Sequence, residues 1–232
     1  MCSEYEITVT KKILEENLSH PIVSGNDLWN LRVKMSMKAP VIVAKGDSLQ
    51  VVEKTFPVMP FPNARLSGAQ FLPNGEAVVR RISDLPTWRD GFQSNPCVVP
   101  MTAFFEPAYW GKEKGNIVRF SDDEIMFVAG ILLSPKRPPG PNLSAFALIT
   151  DLATEFMLGY HHRQVKVLGR ESVLPYLKAQ DARQRFEILS GSPNPSEFIV
   201  GRERSMAKGW ERRVAEQEAK LQQEIAFRKM MI

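Results

Sequence analysis

The chain has 232 residues, 44% of them hydrophobic and 24% charged, enough to bury the core of one mixed or β-rich domain. No run approaches the ~20 apolar residues of a membrane helix, and the polar first residues lack a signal-peptide pattern, so neither membrane insertion nor export is expected. Thirty Lys and Arg against 26 Asp and Glu leave a net charge of +4, which permits a nucleic-acid partner without identifying one. Two cysteines, Cys2 and Cys97, make neither a disulfide framework nor a metal site, and a reducing cytosol is the simplest home.

Taken in chain order, residues 8–18 suggest a short helix with Ile13, Leu14 and Leu18 on one side. Val41–Ala44 reads as a strand opened by Pro40 and closed by the turn Lys45-Gly46-Asp47. A second apolar run from Gln50 leads into Phe56-Pro57-Val58-Met59-Pro60-Phe61-Pro62, which three prolines make an irregular connection. Pro73-Asn74-Gly75-Glu76 is a turn, Ala77–Ile82 a strand, and Trp88–Phe92 a short helix. Cys97 to Glu106 reads as a strand pair or one strand interrupted at Pro100. Residues 112–116 form a turn, and the nearly all-apolar Ile125–Leu133 is a buried strand. A Pro/Gly loop over Pro135–Pro141 precedes another buried strand, Ala145–Ile149, after which Thr150 or Asp151 is placed to cap a helical turn. Val165–Leu168 alternates as a strand, and Arg170–Leu177 is helical.

At least six strands interspersed with short helices, without regular βα alternation, predict an α+β fold. The expected architecture is a curved, mostly antiparallel, barrel-like β-sheet core with peripheral helices. The tail differs in character. From Ser205 to Met231, Met206, Trp210, Val214, Leu221 and Ile225 form one helical stripe, with Glu216–Lys220 and Glu224–Arg228 as surface pairs four apart. The division expected is a domain over residues 1–200 and an amphipathic helical extension over 201–232. That extension either packs on its own domain or associates with a second chain.

The polar residues set beside apolar segments are Asn63, Arg65, Glu106, His161 and Arg163. Buried after Ala103-Phe104-Phe105, Glu106 would have a raised pKa suited to proton transfer; at the solvent face of an edge strand it would do nothing. His161 and His162, if extended, point to opposite faces. No cluster has metal-ligand spacing, and no cofactor is expected. Cys2 has a special possibility, because removal of Met1 exposes an α-amine beside a thiol. With an amine pKa near 7.7–8.0, roughly a tenth or more is neutral at pH 7, able to condense with an aldehyde. The thiol can then close a thiazolidine ring; an N-terminal nucleophile cleaving amides would use the same residue differently.

Met1-Cys2, Asn63-Ala64-Arg65, Trp88-Arg89-Asp90-Gly91-Phe92 running to Cys97–Pro100, Phe104-Phe105-Glu106, Phe127–Gly130, and Ala147–Thr150 leading to His161-His162-Arg163 occur in one order. In this the chain resembles the SRAP proteins, the SOS-response-associated peptidase or abasic-site processing family, over roughly residues 1–178. The resemblance implies a groove for single-stranded DNA containing abasic sites, and trapping of the abasic aldehyde by mature Cys2 as a thiazolidine crosslink. It implies that Asn63 positions the cysteine or the sugar, that Glu106 handles protons, and that His161 assists ring opening and reversal. Arg65 and Arg163 would hold DNA phosphates. It further implies self-removal of Met1 and a cytoplasmic, nucleoid-associated protein. Two alternatives stay open: a single-stranded DNA-binding protein without efficient crosslinking, and an amide hydrolase using Cys2. The chain departs from the family pattern at Ser3-Glu4, where Gly-Arg is usual, and at Ser67, where an acid is usual. It departs again at Pro107, where tryptophan is usual, and at Gln164-Val165-Lys166, where Met-Pro-Val is usual.

Overall fold

A computed structural model describes residues 4–23, 26–56, 63–71, 77–133 and 144–231. Cys2, the Pro57–Pro62 connection, the turn at 73–76 and the loop at 135–141 lie outside the described residues. The order is β1 (Glu4–Thr10), α1 (Lys11–Leu18), β2 (Ile22–Val23), β3 (Leu28–Lys34), β4 (Met37–Lys45), β5 (Ser48–Phe56), β6 (Asn63–Arg65), β7 (Ser67–Phe71) and β8 (Ala77–Arg81). There follow α2 (Pro86–Ser94), β9 (Pro96–Ala108), β10 (Asn116–Leu133), β11 (Ala145–Leu152), α3 (Glu155–Leu158), β12 (Arg163–Val165) and β13 (Val167–Leu168). The chain ends with α4 (Arg170–Lys178), α5 (Ala182–Gly191), β14 (Ile199–Ser205), a 3-10 turn over Trp210–Arg213, and α6 (Val214–Met231).

The expected α+β class and curved, mostly antiparallel sheet are what is found. Among the described residues, β9, β10, β11, β5 and β4 pair in a closed ring, because β9 meets β10 on one side and β4 on the other. Two of the closures are narrow, Ile42 opposite Val98 and Ala145 parallel to Thr55. Closure removes free sheet edges, and the interior fills with Val41, Val99, Phe127, Phe146 and their neighbours, all buried. The β9–β10 ribbon extends beyond the ring. A register shift between Ser121 and Met126 bends it, so its far half pairs instead with β1 and β14.

Local chemistry corrects several sequence expectations. The first helix starts at Lys11, not residue 8. Thr8, Val9 and Thr10 complete β1, as β-branched residues favour, and Thr10 caps α1 by accepting from the Ile13 amide at 3.2 Å. Only Leu14 and Leu18 of the expected face are buried, while Ile13 is 41% exposed. Pro100 does not interrupt β9, which runs unbroken from Pro96 to Ala108. It falls between Val98, where β4 pairs, and Ala103, where β1 pairs, so its missing N–H meets an unpaired stretch of edge. Thr150 and Asp151 belong to β11, and the cap of α3 is Thr154, which accepts from the Met157 amide. Met206 and Trp210 precede α6, and among the described residues its buried side chains are Glu224 and Phe227 rather than the expected stripe.

Candidate active site

Glu106 sits where the β9–β10 ribbon leaves the ring, opposite Val118 and one residue beyond Phe105, which pairs with Glu4 at the start of β1. His161 arrives from the other direction, on the turn after α3, where its amide donates to the Met157 carbonyl at 2.8 Å. Two devices press that turn onto the end of β9. Trp110 Nε1 donates to the Leu158 carbonyl, and Gly111, at φ +72°, leaves room for the Gly159 carbonyl, which a β-carbon would approach to 2.4 Å. Phe120 and Tyr160 meet edge to face across the same gap, with ring centroids 5.2 Å apart.

The result is a buried acid beside a buried base. Glu106 and His161 are each 1% exposed, and Glu106 Oε2 lies 4.0 Å from His161 Nε2. That is longer than a hydrogen bond, so the two groups do not bond each other directly. Burial raises the Glu106 carboxyl pKa, with the positive amino terminus acting against it. Burial also holds His161 well below its ordinary value, helped by the amino terminus and His162. Both groups are therefore favoured in their neutral forms. His161 Nδ1 lies 2.9 Å from the Arg163 carbonyl and 3.3 Å from the Arg163 amide; it cannot donate and accept at once. In the tautomer that uses the shorter contact the proton is on Nδ1 and the Nε2 lone pair faces Glu106.

Arg65 and Arg163 are brought together by the strands flanking β11, since Thr150 pairs with Arg65 of β6 on one side and Val165 of β12 on the other. Arg163 is fully enclosed. Its guanidinium donates to the Thr150 carbonyl at 2.7 Å, the Thr150 hydroxyl at 3.3 Å, the Ser67 carbonyl at 3.4 Å and Glu224 Oε1 at 3.0 Å. Arg65, with its side chain 40% exposed, reaches the same oxygen at 3.7 Å. Burial pulls the Arg163 pKa down while the Glu224 charge supports it. Asn63 is buried on the same short strand, two residues from Arg65 and so on the same face.

Two site residues escaped sequence reasoning. Glu224 was expected to pair with Arg228 on the helix surface, and the structure instead turns it inward as counter-ion to both arginines. His162 was expected to face away from His161, but the two occupy a turn rather than a strand, and both are buried with ring centroids 4.4 Å apart. Both His162 ring nitrogens lack a hydrogen-bond partner among the described residues. Burial, together with the amino terminus, Arg163, Arg65 and Lys220, takes its pKa to about 3. Leu221, Glu224 and Ile225 fall at the i, i+3, i+4 spacing of one helix face, which was the available signal.

Residues 1–200 match the family model of the SOS response associated peptidases. The chain belongs to the SRAP family. No curated protein matches it. Its fold is similar to a crystal structure of a Bordetella bronchiseptica protein at 15% identity and TM-score 0.66, covering 88% of this chain and 100% of that one. A phage-related protein of the same organism gives 15% identity and TM-score 0.63 over 88% and 95%. A Bacteroides thetaiotaomicron protein gives 16% and 0.62 over 96% and 99%. SRAP membership associates the chain with abasic-site processing in DNA and with the SOS response. The SRAP match ends before α6, so Glu224 comes from outside it. Among the described residues no cluster of His, Cys, Asp and Glu could hold a metal ion, and no helix is long and apolar enough to cross a membrane.

Proposed function

We propose that this SRAP protein captures the open-chain aldehyde of an abasic site in single-stranded DNA, through Cys2 once Met1 has been removed. The observation that carries the reading is the buried Glu106–His161 pair, an acid and a base 4.0 Å apart, beside the start of β1. Glu4, the first described residue, pairs with Phe105, the neighbour of Glu106.

The steps use the two groups as acid and base. The closed sugar is a hemiacetal. His161 Nε2 takes the proton of its 1-hydroxyl as the ring C–O bond breaks, and the same proton is handed on to the ring oxygen, leaving the aldehyde and neutral His161. The neutral Cys2 amine adds to the aldehyde carbon, one of its protons passing to the carbonyl oxygen, and protonated Glu106 gives its proton to the resulting hydroxyl, which leaves as water and forms the protonated imine. The Cys2 thiol adds to the iminium carbon, its proton returns to the Glu106 carboxylate, and the thiazolidine closes with the remaining proton on nitrogen. Asn63 orients the amine or sugar. Arg65 holds a backbone phosphate; Arg163, fully buried and paired with Glu224, acts as a positioning residue behind Arg65 and not as a phosphate ligand. Self-cleavage after Met1 would use the same Glu106 and Cys2.

The test is incubation with an oligonucleotide carrying one abasic site, followed by denaturing electrophoresis. A heat-stable adduct is expected. Glu106→Gln should slow its formation by about 10²- to 10⁴-fold, the usual worth of a positioned acid or base, with unchanged affinity for an uncleavable strand. Salt-sensitive retention without any adduct would instead identify a binding protein, and amide hydrolysis without aldehyde dependence a hydrolase.

A further inference from the structure

Beside the Glu106–His161 pair lies a cavity of about 450 Å³ that includes His161 in its wall. Its far side is built by residues 206–217, beyond the SRAP match, which ends at residue 200. Pro107, Ile117 and Met206 supply apolar walls, and Tyr109 and Trp210 supply aromatic ones. Lys208 and Arg213, both exposed, supply cations, and no acidic side chain among the described residues lines the space.

The wall is held in place. The Met206 amide donates to the Gly115 carbonyl at 2.8 Å, and the Trp210 ring lies on Gly115, where a β-carbon would come within 2.9 Å of Cζ2. Gly115, in the β9–β10 turn, is at φ +85° and Gly209, beside Trp210, at φ +84°, a backbone that favours glycine at both positions. A half-buried indole fixed on a glycine platform, with cations at its side, matches a flat ring joined to a phosphate. The volume lies in the ~300–1,000 Å³ range of small-ligand sites.

We propose that this cavity takes a nucleotide next to the abasic site, its base against Trp210 and its phosphate toward Lys208 and Arg213. The proposal rests on the reading above, because the abasic sugar at His161 is what places the neighbouring nucleotide here. It makes the C-terminal segment a reader of the intact strand beside the lesion. Stacking on an aromatic ring tolerates any base, so the subsite selects for the presence of a base and not for its identity.

The experiment measures binding of the full chain to nine-nucleotide single strands with a central tetrahydrofuran, an abasic analogue that forms no adduct. In two further strands the 5′ or the 3′ neighbour is also replaced by tetrahydrofuran. The expected result is about tenfold weaker binding when the base is missing on one side only. Trp210→Ala should bind all three strands alike, and Trp210→Phe should restore the difference. Because Trp210 also packs on Gly115, the exposed pair Lys208→Gln with Arg213→Gln provides a second variant that spares the fold. It should lower the salt slope by about 0.7 per lost phosphate contact. Equal binding of the three strands by the unaltered protein, or an unchanged salt slope in the double variant, would overturn the proposal. Adduct formation on a true abasic strand is scored in parallel. Adduct without neighbour dependence removes the subsite and keeps the capture reading; neighbour dependence without adduct keeps the subsite and removes capture.

Discussion

Glu224→Ala removes the carboxylate that accepts a hydrogen bond from Arg163, whose side chain is 1% exposed. Breaking a buried pair by deleting one partner costs roughly 3–5 kcal/mol, because the remaining charge stays buried and uncompensated. Here the loss is tempered: Arg163 keeps its bonds to both Thr150 oxygens and to Ser67, and the second Glu224 oxygen has no partner among the described residues. The lower end, about 3 kcal/mol, is therefore expected, which for a chain of this size lowers the melting temperature by about 6–12 °C. Glu224→Gln keeps an acceptor without the charge and should cost about half as much. Thermal and urea denaturation of both variants, with Arg163→Met and the double variant Arg163→Met/Glu224→Leu completing a cycle, measure the coupling. A Glu224→Ala protein within about 0.5 kcal/mol of the parent, the range of an ordinary surface change, would refute the inward placement of Glu224. It would return Arg163 to the role of a free phosphate ligand.

Charge loss at the partly exposed Arg65, as Arg65→Gln, should weaken binding to all single strands alike and lower the salt slope by about 0.7; a large fall in melting temperature with an unchanged slope would assign it to the fold. Gly111→Ala puts a methyl 2.4 Å from the Gly159 carbonyl at a positive φ, so the His161 turn must shift, and adduct formation should fall more than DNA affinity does. Acid should destabilise the protein. His161 and His162 are held below their ordinary 6.5, His162 at about 3, so between these values the unfolded chain binds protons that the fold refuses, and stability falls as pH drops below ~6.5. Glu106 acts oppositely, losing stability for the fold as pH rises above its ordinary 4.5, but two histidines outweigh it on the acid side. Denaturation from pH 7.5 to 4.5 reads the slope, up to ~1.4 kcal/mol per unit for each histidine, and His162→Phe should flatten it.

The sheet was legible because its buried strands are apolar runs, Ile125–Leu133 and Ala145–Ile149, which pattern alone identifies. Ring closure was not, since it depends on single cross-pairs such as Ile42 with Val98 that leave no local trace. Pro100 misled because a proline argues against a strand interior unless the partner edge is empty at that position, which only the topology decides. The polar residues flagged beside apolar segments were legible for the same reason as the strands: Glu106, His161, Arg163 and Asn63 are costly to bury. The geometry of the histidine pair depended on a turn, and the destination of Glu224 depended on where α6 docks; helical spacing offered Arg228 as an equally good local partner.

The most direct test of the central claim is the intact mass of the protein before and after exposure to a single strand with one abasic site. The account predicts a species lacking Met1 that gains the mass of the DNA strand less one water, stable to heat. A Met-Ala-Cys start should abolish it, because an acylated α-nitrogen is a delocalised amide that cannot form the imine. Cys2→Ser should leave only a product trapped by borohydride. A durable adduct on a species that retains Met1 would contradict the account and reduce Cys2 to an ordinary thiol.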